Sequence, residues 1–208
     1  MPQVIKGVYF LQDKTEVAYE AESIYYIDFY ILSALYAIEK LRKYDGATNS
    51  TLSKFQYYHF YTDHVLFALG QISNRFVESE KNSELLKERK RRNCMNYGFS
   101  DDTFPLLSNK RARNVLEHID EYDVETISEK GGVGGFNLID ENTEEEVLLA
   151  LSDMRTMHLY TLNLVEGEIW IYDPKHNGNI NLKLEELVEE LNALRDNEMS
   201  FAEMVHSI

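Results

Sequence analysis

Arg113, Asn114 and His118 are the residues of this chain whose types and spacing suit chemistry. Asn114 and His118 are four apart, so on a helix they share a face. Arg113 precedes His118 by five, about 140° around a helix, and its long side chain can curl toward the same cleft. Arg111 lies seven before His118, again on one face. An imidazole titrating near neutrality moves protons, with an unperturbed pKa of about 6.5. A guanidinium stabilises charge building on phosphorus, and an amide orients the ring or a phosphate oxygen. Such a set suits metal-independent RNA cleavage, in which the ribose 2′-hydroxyl is the nucleophile. Lys110, Arg111 and Arg92 are the further candidates for phosphate contact.

The element that must position this set is residues 108–125, where Val115, Leu116, Ile119 and Tyr122 recur at helical spacing. Ser108 is the expected N-cap, and Pro105 marks the break before it. Upstream, residues 13–44 read as a long helix, with Ile24, Ile27, Ile31, Leu35, Ile38 and Leu41 forming one apolar stripe. Tyr25, Phe29, Leu32 and Tyr36 widen that stripe, so the helix is expected to be covered on more than one side. A second helix runs from Ser50 or Thr51 to about Glu80. His59 and His64 within it are five apart and read as ordinary helix histidines rather than metal ligands. Residues 81–92 form a third, basic helix. The rings Tyr97, Phe99 and Phe104 follow, read as core caps before single-strand stacking platforms.

The four glycines in 131–135 mark a linker. Beyond it come a short strand at 136–140, a helix opened by Thr143 and Glu146, and a hairpin with arms 157–165 and 168–172. An amphipathic acidic helix over 181–197 closes the chain. Residues 1–12 read as a short extended segment. The expected fold is mainly α: an antiparallel helical bundle over residues 1–130, then a small C-terminal α+β unit over 136–208.

Charge narrows the function. The 208 residues carry a formal net charge of −15, which excludes a protein whose whole surface grips nucleic acid. Yet residues 81–113 hold 9 basic against 4 acidic side chains, while 114–208 hold 5 against 22. One basic segment therefore runs into the motif helix, and Glu117, Asp120, Glu121 and Asp123 crowd it from the other end. Cys94 is the only cysteine, which rules out an internal disulfide and a zinc-knuckle pair. No His, Cys and Asp group has metal-ligand spacing, so no cofactor is expected and a metal-dependent hydrolase ranks low. No apolar run is long enough to span a bilayer, and the N-terminus lacks the basic start and apolar core of a signal peptide. A cytoplasmic protein is expected.

The Arg113-Asn114-x3-His118 string resembles the R-polar-x3-H motif of the HEPN superfamily, and Arg111 matches its looser form. The order of elements is similar as well: two long antiparallel helices, a short basic helix, then the motif helix. The resemblance covers about residues 13–125 and leaves the C-terminal unit unassigned. It implies a helical bundle that pairs as a homodimer with motif helices facing across the twofold. It also implies a metal-independent endoribonuclease of a toxin–antitoxin, defence or RNA-processing kind, or a non-catalytic interaction module that binds a protein partner or nucleotide. A nucleotidyltransferase-type antitoxin is the partner that goes with the toxin form.

Overall fold

In the computed structural model, residues 4–5, 8–9, 14–44, 52–109, 111–112, 135–143, 160–173 and 178–206 are described. They hold four helices and a four-stranded sheet, so the architecture is mixed α and β, mainly α, and not a pure helical bundle. A minimal antiparallel ladder, β1 (Val4–Ile5) with β2 (Val8–Tyr9), opens the chain. Helix α1 spans Lys14–Arg42 and α2 spans Lys54–Phe76. The start of α2 is set by Ser53: its hydroxyl accepts from the Gln56 N–H while the Gln56 side chain accepts from the Ser53 N–H. Helix α3 (Glu84–Tyr97) is capped by Ser83 and ends at Gly98, whose φ of 60° is left-handed. The expected basic helix thus runs five residues further than its charge pattern indicates, because Asn93 and Tyr97 are core residues on its inner face.

The sheet has the order β3-β4-β5-β6, with β3 at Phe136–Ile139, β4 at Tyr160–Asn163, β5 at Glu168–Asp173 and β6 at Gly178–Lys183. Strands β3 and β4 are parallel; the others are antiparallel. The strand at 136–140 and the hairpin turning at Gly167 stand where the sequence puts them. The closing helix does not begin at 181. Asn181, Leu182 and Lys183 belong to β6, paired with Trp170, Ile169 and Glu168, and α4 runs over Leu184–His206. Alternation in this stretch is shared by strand and helix, and pairing with β5 decides for the strand.

One hydrophobic core joins the helices and the four-stranded sheet. Ile27, Ile31 and Ile38 of α1, Val65 and Ile72 of α2, Tyr160, Leu162, Ile169, Ile171, Ile180 and Leu182 of the sheet, and Leu187, Leu191 and Leu194 of α4 all belong to it. The register places Tyr160, Ile171 and Ile180 in one row and Leu162, Ile169 and Leu182 in the next, so one sheet face is the core face. Helix α4 lies against α1 and α3. The stretches on either side of the glycine linker therefore share their interior. Phe99 stacks on Phe76 at 4.3 Å and on Phe104 at 5.2 Å, all buried, which makes these rings core and not a stacking platform. Among the described residues no helix is long and apolar enough to cross a membrane.

Candidate active site

The start of the motif helix is described at Arg111 and Ala112. Its cap is Asn109, not Ser108: the Asn109 Oδ1 accepts from the N–H groups of Arg111 and Ala112 at 3.0 and 3.1 Å. Ser108 is instead buried, its N–H closing a turn onto the Phe104 carbonyl at 2.9 Å. In the sequence Arg113, Asn114 and His118 follow this cap by four, five and nine positions. Those three residues and Lys110 lie outside the described residues.

Three side chains from the C-terminal stretch hold this helix start, the loop before it and the end of α3. The Arg111 Nε donates to Asp173 Oδ2 at 2.9 Å, and the Asp173 side chain is only 3% exposed at the end of β5. Glu190 of α4 accepts from the backbone N–H groups of Leu106 and Leu107 at 2.9 and 3.0 Å. Burial raises the Glu190 pKa, opposed by those two backbone hydrogen bonds. The Asn197 amide donates to the Tyr97 carbonyl at 2.8 Å, at the end of α3. The sheet and α4 thus fix the loop and the helix start that precede the motif in the chain.

The basic segment is less open than its charge suggests. Lys90 is buried and donates to the Val77 carbonyl at 2.8 Å, closing the end of α2. Arg91 grips Glu78 in a fork at 2.9 and 3.2 Å, and Lys87 reaches Glu84 at 2.8 Å. Arg92 has a side chain only 16% exposed, 3.8 Å from Glu88. The structure brings Arg111 to an acid of the sheet and sets Arg92 on α3; it shows no contact between the two.

A second cluster escaped the sequence reading. His59 Nε2 lies 3.0 Å from the Tyr160 hydroxyl, which donates to Asp63, and His59 Nε2 lies 3.4 Å from Asp63 Oδ2. The imidazole stacks flat on Phe136 at 4.8 Å, with Phe55 beside that ring at 5.2 Å. At the same edge Lys54 pairs with Asp140, which lowers the Asp140 pKa through that hydrogen bond. A tyrosine hydroxyl shared by a carboxylate and an imidazole holds the ring in one orientation. The His59-x3-Asp63 spacing was legible in the sequence; Tyr160, about a hundred residues on, was not. A cleft of about 410 Å³ at the end of α1 is lined by Arg42, Tyr58, Glu166, Lys183 and Glu185, and its mixed charges select neither anion nor cation. Among the described residues no group of three His, Cys, Asp or Glu side chains could hold a metal ion.

No protein-family model matches the chain, and neither a curated protein nor a solved structure matches it.

Proposed function

We propose that the chain is a metal-independent endoribonuclease of HEPN type, cleaving RNA by 2′-hydroxyl attack in the cytoplasm. The observation that carries this reading is the Arg113-Asn114-x3-His118 spacing, on a segment entered through the Asn109 cap. The order of α1, α2 and basic α3 before it supports the same reading. In the reaction the 2′-oxygen bonds to phosphorus as its proton leaves to a base. The bond from phosphorus to the 5′-oxygen then breaks as an acid protonates that oxygen. The products are a 2′,3′-cyclic phosphate and a 5′-hydroxyl. His118 transfers protons, Arg113 stabilises the phosphorane charge, and Asn114 orients the ring. One motif helix holds one histidine, so a second copy set motif helix to motif helix supplies the other group. Arg111, tied to Asp173, acts as tether before phosphate contact. Release from a nucleotidyltransferase-type antitoxin is the regulation that goes with the toxin form.

The test is cleavage of a mixed RNA pool with EDTA present. Wild type is expected to leave 2′,3′-cyclic ends, and His118→Ala is expected to remove cleavage while keeping the fold. Cleavage retained in that variant ends the proposal.

A second reading, a non-catalytic interaction module, is favoured by one observation: α1 and α2 expose rows of large aromatic residues while Lys87 and Arg91 of α3 are paired with Glu84 and Glu78. Titration of His118 followed by NMR separates the two. A catalytic ring shifts when nucleotide is added, and a structural one does not.

A further inference from the structure

Between positions 25 and 36, the exposed residues of α1 are Tyr25, Phe29, Leu32 and Tyr36 and no others. Their spacing of four, three and four is a single straight row along a helix. On α2, Phe60, His64 and Phe67 make a second row, at spacings of four and three. The rows lie side by side: Tyr30 meets Phe67 at 6.1 Å and Tyr36 meets Tyr61 at 6.4 Å. The sequence marks α1 as covered on more than one side, and among the described residues nothing covers this one.

The six large side chains of these rows are between 41% and 66% exposed. At about 200 Å² each, they leave about 650 Å² of mostly apolar surface. That exceeds the largest patch of an ordinary monomer, about 300–600 Å². It approaches the ~800 Å² that each partner contributes to a stable interface.

We infer that a second copy of this chain covers the α1–α2 face, pairing the two helices with their equivalents about a twofold axis. The area is that of one half of a dimer. The spacing is that of helices packing at a shallow angle, as in a four-helix arrangement. The carboxylates around the face are already engaged: Asp28 with Arg195, Glu39 with Lys43, and Asp63 with His59 and Tyr160. Among the described residues nothing on the face therefore selects a charged partner, and two copies of a chain of charge −15 meet where each described acid has a counter-group.

This pairing does not rest on the ribonuclease reading. Leu69 and Ser73 of α2 line a small cavity with Leu106, Leu107 and Ala112 at the motif helix start. Leu69 is two residues from Phe67, about 200° around the helix. The aromatic face thus points away from the motif helix. It is a different contact from one that sets two motif helices together.

Sedimentation of wild type, Phe29→Glu, Phe67→Glu and His118→Ala at micromolar concentration tests it. Both glutamate substitutions are at exposed positions, and far-UV circular dichroism verifies their fold. Wild type and His118→Ala are expected at twice 24.3 kDa when this face alone pairs, and at four times when motif helices pair as well. Each glutamate enters a twofold interface twice, so the dimer dissociation constant should rise about 100-fold or more. A monomeric wild type overturns the inference, as does a dimer that persists unchanged in both variants. A monomer that sediments with phosphatidylcholine vesicles overturns it in favour of a lipid occupant. Cleavage assayed on the same samples reports separately on the ribonuclease reading.

Discussion

Glu198 of α4 is 2% exposed, beside the half-buried Asp28 of α1 and Arg195. Glu198 Oε2, Asp28 Oδ1 and Arg195 Nε make no hydrogen bond, and the nearest ionic approach is 3.5 Å between Asp28 and Arg195. Burial first, and then the Asp28 charge, push the Glu198 carboxyl up to about 7, opposed by Arg195. The folded state therefore holds this proton more tightly than the unfolded chain, whose carboxyl titrates near 4.5. The stability tied to Glu198 is complete below about pH 4.5 and falls as pH rises through about 7. A displacement of about 2.5 pH units corresponds to about 3 kcal/mol at most. Glu198→Gln keeps the shape and removes the titration. Urea denaturation of both proteins at pH 5 and pH 8 measures the effect. The variant should gain about 2–3 kcal/mol on wild type between the two pH values, because other titrating groups cancel in the difference. An equal difference at pH 5 and pH 8 refutes the reasoning, since Glu198 then carries no burial cost.

Two further predictions test the frame that holds the motif. Glu190→Ala removes the acceptor of the Leu106 and Leu107 N–H groups and should cost about 1–3 kcal/mol. Hydrogen exchange at those two amides should accelerate more than in α2, and unchanged protection there shows that the loop is held by other contacts. Cys94 is half-buried against the Phe76 carbonyl at 3.4 Å, and burial raises its pKa to about 11. Its alkylation at pH 8 should be about 100-fold slower than in the urea-unfolded chain, from thiolate fraction alone. Comparable rates in the two states show an accessible, ionisable thiol.

The long helices were legible because their apolar residues repeat at three and four and their caps are local: Ser53 with Gln56, Ser83, and Gly98. The hairpin was legible from Gly167, whose φ of 67° suits a residue without a side chain. Strand β6 was not, since Asn181–Lys183 becomes a strand only by pairing with β5. The Asn109 cap differs from the expected Ser108 because both residues can cap, and burial of Ser108 in the turn from Phe104 settles which does. The motif residues were read by type and spacing, and only Arg111 of that set, with Arg92 on α3, has a described setting.

What the sequence determined by itself is local: helix periods, capping side chains, the turn at Gly167, and the order in which Arg113, Asn114 and His118 follow one another. What tertiary structure alone decided is which distant groups meet. Arg111 finds Asp173 across the sheet, Glu190 takes the loop before the motif, and Tyr160 joins His59 to Asp63. Hydrogen-bond partners 62 to 101 residues apart leave no mark in any local pattern. The row Tyr25, Phe29, Leu32 and Tyr36 shows both levels at once. Its spacing was written in the chain, but only the packing of α1 against α2 and α4 showed that nothing described in the chain covers it. Periodicity says which side chains share a face, and only the folded neighbours say whether that face meets protein or water.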